Sequence, residues 1–199
     1  MREERKSMLI VISGPSGVGK GTIYSQLLKN DHSLTFSVSV TTRAPRVGER
    51  EGIDYFFISQ EEYDRLLSED AFLEHAAVHG NCYGTLKSQV EAKLAAGWSV
   101  VLDIDPQGAR NVMNIWPDCV SIFLLPPSYE ELRRRLYGRN TDNPEAIERR
   151  LSNARGEIEQ ASLYQYNVVN DDVERAYQRV AAIIAAEKLR TTRYHPVVE

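Results

Sequence analysis

A glycine-rich segment near the start of the chain has the residue types and spacing of a phosphate-binding loop. It reads Gly-Pro-Ser-Gly-Val-Gly-Lys over residues 14–20 and continues with Gly21 and Thr22. Glycines let successive N–H groups turn towards one anion, and a following helix presents its positive end to the same anion. The alternative is a glycine-rich turn without a ligand. The loop follows an apolar run and precedes a helical pattern, as phosphate binding requires.

The residues around the end of this loop differ from the common motif. Lys20 would place a positive charge beside the outer phosphates of a nucleotide, and a serine or threonine usually follows it and contacts Mg²⁺. This chain has Gly21 at that position and Thr22 one residue later. The sequence therefore assigns the magnesium contact to Thr22.

Two acidic residues follow a second apolar run. Asp103 and Asp105 come after Ser99–Leu102 and should project at the carboxyl end of a strand, where open α/β sheets bind ligands. Taken alone, they could be ordinary aspartates at the turn after a strand. Beside a phosphate-binding loop, a role in holding a polar ligand or a magnesium shell is favoured.

These residues must be positioned by a sheet, and the chain predicts an α/β fold with a parallel sheet flanked by helices. Continuous apolar runs are typical of strands buried on both faces, and helical patterns separate them. The predicted strands span 8–12, 99–102, 119–125 and 166–169, and the predicted helices span 19–30, 107–115, 128–137, 144–160 and 173–189.

Two segments interrupt this alternation. From about 36 to 90 the chain has short strand patterns at 36–40, 54–58 and 71–79, with one helix opened by Ser59 and running to Leu67. This mixture predicts a small α+β insertion. The second segment, 133–155, is rich in arginine and polar residues, and Pro144 is suited to the first position of a helix.

Composition limits the classes of partner. The 199 residues carry a net charge of −4, with a pI near 5.7, which argues against a general nucleic-acid or membrane binder. Cys82 and Cys119 have neither disulfide-framework nor zinc spacing, which favours a reducing compartment. No apolar run approaches the roughly 20 residues of a membrane span, and the N-terminal apolar run is too short for a signal peptide. A cytoplasmic protein is therefore expected, with its oligomeric state, monomer or homodimer, left open.

Further motifs occur in order along the chain. The stretch Ser-Val-Thr-Thr-Arg-Ala-Pro-Arg-Val-Gly-Glu at 39–49 is far more specific than the phosphate loop. With the other motifs it resembles the signature of the guanylate kinase family, from the loop to about Leu189. The other motifs lie at 52–55, 72–74, 83–85, 102–108 and 170–172.

This resemblance implies transfer of the γ-phosphoryl group of ATP to GMP, with Mg²⁺ as cofactor and with GDP entering purine nucleotide supply. It implies a P-loop core (1–35, 91–132 and 156–199), a GMP-binding insertion (36–90) and an arginine-rich lid (133–155). ATP and GMP are the expected partners, with neither nucleic acid nor membrane. The ATP site would comprise Gly14, Pro15, Ser16, Gly17, Val18, Gly19, Lys20, Gly21, Thr22 and Asn170.

The family's acceptor site maps onto a second set of residues. Arg43 and Arg46 would clamp the GMP phosphate, because guanidinium groups match phosphate oxygens. Glu74 would accept hydrogen bonds from N1–H and N2–H₂ of guanine, whereas adenine presents an acceptor at N1. The resemblance assigns GMP binding to Ser39, Arg43, Arg46, Glu49, Tyr55, Glu74, Tyr83, Thr85, Asp103 and Asp105, and catalysis to Lys20, Arg43, Arg135, Arg139 and Arg150.

Two other functions fit parts of this pattern. A ribose-bisphosphate phosphokinase shares the loop, but it would not need Ser39, Glu74, Thr85 and Asp103 together. A scaffold domain of guanylate-kinase type would belong to a longer chain and carry a degraded loop. Here Lys20, the loop glycines and the lid arginines are intact, which favours the enzyme.

Overall fold

The computed structural model describes residues 3–78, 80–138 and 144–196. Within these residues the chain forms eleven strands and seven α-helices. The strands are β1 (Glu3–Arg5), β2 (Leu9–Ser13), β3 (Leu34–Phe36), β4 (Val40–Thr41), β5 (Phe56–Phe57), β6 (Phe72–Val78), β7 (Asn81–Leu86), β8 (Ser99–Asp103), β9 (Val120–Leu125), β10 (Tyr166–Val169) and β11 (Tyr194–Pro196). The helices are α1 (Lys20–Asn30), α2 (Gln60–Ser68), α3 (Lys87–Ala95), α4 (Pro106–Ile115), α5 (Tyr129–Tyr137), α6 (Pro144–Glu159) and α7 (Val173–Lys188).

A five-stranded parallel sheet forms the centre of the fold, in the order β10-β9-β2-β8-β3. Strand β2 is buried along its whole length, as its continuous apolar run predicts. Ile10 and Ile12 pack on one face with helices α1 and α7. Leu9 and Val11 pack on the other face with α3 and α4. The α/β prediction is confirmed, and the carboxyl ends of β2 and β8 lie side by side.

A second, mixed sheet has the order β5-β4-β7-β6 and packs on α2 through Val40, Tyr63 and Phe72. Ser59 caps α2 by accepting a hydrogen bond from the backbone N–H of Glu62, as predicted. The single strand predicted over 36–40 is wrong, because Phe36 belongs to β3 in the central sheet and Val40 to β4 in the second sheet.

Other elements differ from the sequence expectation. The strand predicted over 54–58 is limited to β5, and strand β7 and helix α3 had no predicted counterpart. The two-stranded sheet of β1 and β11 was also not anticipated. Beside it, the buried Arg193 forms ion pairs with Glu187 and Asp118, which fasten the segment before β11 to the core.

Helices α5 and α6 pack on each other through Leu132, Leu136, Ile147 and Leu151. Pro144 is the first residue of α6, as predicted, and Arg139 lies outside the described residues. Across the described ranges, every helix is too short or too polar to cross a membrane.

Candidate active site

The predicted phosphate-binding loop connects β2 to α1. Its backbone has positive φ at Gly17 (87°) and at Gly19 (99°), which is the N-cap of α1. Only glycine adopts such angles readily, and they turn the N–H groups into an anion-binding concavity. The Nζ of Lys20 donates a hydrogen bond to the backbone oxygen of Gly14 at 2.7 Å, so the lysine folds over the loop.

Hydrogen bonds from the side chains of Asn170 and Arg135 stabilise the phosphate-binding loop. The Nδ2 of Asn170 donates to the backbone oxygen of Val18 at 2.8 Å, and Arg135 donates to the same oxygen at 3.3 Å and to that of Asn170 at 3.0 Å. Asn170 is 1% exposed, and its Oδ1 accepts no hydrogen bond from the described residues. The predicted adenine contact is therefore turned inwards here, and Asn170 supports the loop. Arg135 also pairs with Glu131 at 2.8 Å.

The other predicted donor-site residues surround the loop. The guanidinium of Arg150 lies 3.5 Å from the Oγ of Ser16, which connects helix α6 with the loop. Gly21 and Thr22 are exposed in the first turn of α1. Among the described residues, no three carboxylate, histidine or cysteine side chains cluster as a metal site. Mg²⁺ commonly takes few protein ligands and is held largely by the phosphates of a bound nucleotide. The hydroxyl of Thr22, without a carboxylate cluster beside it in the part of the chain that the structure describes, is compatible with this mode of binding.

The guanidinium group of Arg43 lies among an acidic residue and two tyrosines near the second sheet. The Nη2 of Arg43 lies 2.8 and 3.0 Å from the two carboxylate oxygens of Glu49 and pairs with both. The backbone N–H of Arg46 donates to the same carboxylate at 2.8 Å. The Arg43 guanidinium lies 5.5 Å from the centre of the Tyr55 ring, which in turn lies 6.0 Å from the Tyr83 ring. Glu49 thus orients Arg43, and the two tyrosines stand beside the cation.

A buried carboxylate forms the second part of this region. Glu74 on β6 is 7% exposed, and the hydroxyl of Thr85 on β7 donates to its Oε1 at 2.6 Å. Burial raises the pKa of Glu74 to about 7, the Thr85 hydrogen bond lowers it, and the charge of Asp105 raises it. Such a carboxylate gains from a ligand that supplies more hydrogen-bond donors. Ser39 is half-buried at the start of this sheet.

The two acidic residues after β8 have different surroundings. Asp105 is the N-cap of α4 and accepts a hydrogen bond from the backbone N–H of Gly108 at 2.7 Å. Asp103 is partly accessible to solvent, but the protein atoms packed around it raise the pKa of its carboxyl group by burial. The charge of Lys20 and a hydrogen bond with Tyr24 act in the opposite direction and lower this pKa. The sheet therefore brings Asp103 towards Lys20, as its place at a strand end predicts.

Two residues near the site were not singled out from sequence. Tyr24 on α1 is buried and donates to the backbone oxygen of Ile12 at 2.9 Å, which fixes the helix to the strand before the loop. Glu157 on α6 lies near Lys20 and the backbone N–H of Ser16, and burial raises its pKa. The i, i+7 spacing of Arg150 and Glu157, which places both on one face of α6, could have indicated it.

Comparisons with known proteins agree with this geometry. The family model described as guanylate kinase matches residues 6–187. Curated guanylate kinases from Symbiobacterium thermophilum and Neisseria gonorrhoeae are each 50% identical over 193 residues, or 97% of this chain, and the match covers 92% and 94% of those proteins. The crystal structure of guanylate kinase from Anaplasma phagocytophilum is 39% identical, with a TM-score of 0.79 and coverage of 96% of this chain and 91% of that one. The chain therefore belongs to the guanylate kinase family.

Proposed function

We propose that this chain transfers the γ-phosphoryl group of ATP to GMP and forms ADP and GDP. One observation carries the proposal: a phosphate-binding loop at Gly14–Lys20 coexists with a separate buried carboxylate, Glu74, whose oxygen already accepts a donor at 2.6 Å. The loop suits a nucleotide phosphate. The carboxylate suits a base with adjacent N–H groups, which guanine has and adenine lacks.

The acceptor nucleotide would be held at both ends. Arg43, with Arg46 and the hydroxyls of Tyr55 and Tyr83, would bind the GMP phosphate, because guanidinium forks match phosphate oxygens. Glu49 would act as a positioning residue, since it already fixes Arg43 at 2.8 Å. The base would contact Glu74, Thr85, Ser39, Asp103 and Asp105.

The donor nucleotide would lie on the loop, with Lys20 beside its outer phosphates. Negative charge spreads over the equatorial oxygens in the transition state, so converging cations supply the main catalytic effect. Arg135, Arg139 and Arg150 are proposed for this role from the lid at 133–155, and their closure would exclude water. The acceptor is an ionised phosphate oxygen, so the reaction needs no general base. Asn170 is proposed to contribute to the ATP site by supporting the loop through its hydrogen bond to Val18.

Mg²⁺ is proposed as the cofactor, carried by the ATP phosphates near Thr22. When bound, it would neutralise charge on the β- and γ-phosphates. The protein's own contribution is the set of loop N–H groups and Lys20, which orient the phosphates.

The test is a product assay with the full chain, ATP, GMP and MgCl₂. We expect ADP and GDP to form in equal amounts, and excess EDTA should abolish both, because free ATP carries uncompensated charge. Chromatographic quantification of all four nucleotides checks this. ADP without GDP would show hydrolysis and contradict the transfer, and undiminished GDP formation in EDTA would contradict the role of the metal.

A further inference from the structure

Helix α4 begins directly beside the base-reading carboxylate. Gly108 is buried in its first turn, and its N–H donates to Asp105. A Cβ built on Gly108 would lie 2.7 Å from the Oε2 of Glu74 and 3.4 Å from its Cδ. Thr85 binds the other carboxylate oxygen at 2.6 Å. The carboxylate of Glu74 is thus confined between a hydroxyl on β7 and the bare Cα of Gly108.

The backbone does not explain a glycine at this position. The φ angle of Gly108 is not positive, so its backbone conformation is open to any residue, and alanine would be the better helix former. Among the three nearest atoms, the one that does not belong to Glu74 is the Oδ1 of Asp105 at 3.4 Å, a distance at the edge of ordinary van der Waals contact. The crowded neighbour is the end of a flexible side chain, so an alanine would displace the carboxylate without forcing the backbone to move.

We propose that Gly108 is a specificity-determining positioning residue: its missing side chain leaves the space that the Glu74 carboxylate needs to accept hydrogen bonds from guanine. The proposal rests on the proposed function. An oxygen and a methyl carbon cannot stay 2.7 Å apart, so the carboxylate in Gly108→Ala moves by several tenths of an ångström or turns away from Thr85. Binding sites lose efficiency steeply on displacements of that size.

The test compares Gly108→Ala with Gly156→Ala, a matched helical glycine whose added Cβ meets nothing within 4 Å. We expect Gly108→Ala to raise the KM for GMP about 10-fold to 100-fold, from the cost of misplacing a binding group. The KM for ATP should stay unchanged. Gly156→Ala should leave both KM values at the wild-type level.

A second pair of variants separates this role from a general effect on α4. In a Glu74→Ala background, Gly108→Ala should cause no further rise in the KM for GMP, because the group that it displaces is absent. Three results would each overturn the proposal: the same rise in the KM for GMP in both backgrounds, a wild-type KM for GMP in Gly108→Ala, or a parallel loss of ATP affinity. Wild-type protein is assayed alongside; if it does not phosphorylate GMP, the proposed function itself fails.

Discussion

Glu74→Gln is expected to abolish most GMP phosphorylation while it makes the ligand-free protein more stable above pH 7. A glutamine offers one N–H₂ donor and one acceptor, so it cannot accept both N–H groups of guanine and places a donor against a donor. A buried mismatch of this kind lowers kcat/KM for GMP by about 10²-fold to 10⁴-fold. ATP binding should change little, because the loop lies elsewhere. Steady-state kinetics and an ATP titration check both parts.

The stability gain follows from the pKa of Glu74. Burial raises this pKa from 4.5 to about 7 in the folded protein, so the folded state binds the proton more tightly than the unfolded state. The associated stabilisation is complete below pH 4.5 and is lost as the pH rises through about 7, a difference of about 3 kcal/mol. Glutamine does not ionise, so the melting temperature of Glu74→Gln should exceed that of the wild type at pH 8 and match it more closely at pH 5.

The control for this variant is Glu61→Gln, at an exposed position in the first turn of α2. It should keep wild-type kinetics and a wild-type melting temperature at both pH values. A Glu74→Gln protein that used GMP normally, or that lost stability at pH 8, would contradict the account.

The raised pKa of Glu74 also predicts a pH dependence in the wild type. The kcat/KM for GMP should fall as the pH drops below about 7, because the protonated carboxyl group has lost one hydrogen-bond acceptor.

Lys20→Ala is expected to lower kcat by about 10²-fold to 10³-fold, as removal of one preorganised transition-state donor commonly does. The lysine is half-buried, and its hydrogen bond to Gly14 is internal to the loop, so the variant should fold normally. GMP affinity should be retained, because the acceptor site uses other residues. Rapid-quench or steady-state kinetics, with a GMP titration, measures these effects.

The matched control is Lys29→Ala, since Lys29 is exposed in the last turn of the same helix. It should retain wild-type kcat. Full activity in Lys20→Ala, with unchanged melting temperature, would show that the loop lysine does not act on the transferred phosphoryl group. Loss of GMP affinity as well would show that the two sites are not separate.

Strands β2, β8 and β9 of the central sheet could be predicted because they contain continuous apolar runs, and Leu9–Ile12 is buried on both faces as such a run requires. The division of 36–40 between two sheets could not be predicted, because alternation does not identify the partner strand. Helix α3 escaped prediction because it buries only Val90 and lacks a side-chain cap. Strand β7 contains asparagine, cysteine and glycine, which weaken its strand pattern.

Motifs located the candidate site, but they did not describe how its side chains are arranged. The ion pair of Glu49 with Arg43 and the inward-facing amide of Asn170 depend on loop conformations that sequence spacing does not determine. The contact between Gly108 and Glu74 joins α4 to β6, which are separated along the chain and meet only through packing. Such contacts arise from tertiary structure, and residue types alone do not indicate them.

The most direct measurement of the central claim is a comparison of kcat/KM for GMP, AMP, CMP and UMP with the full chain, ATP and Mg²⁺. A carboxylate that accepts two adjacent N–H groups should favour GMP over the other three by about 10⁴-fold or more. We expect ADP formation that depends on GMP and is nearly absent with AMP, CMP and UMP. Equal rates with all four monophosphates, or ADP formation that does not depend on GMP, would contradict it.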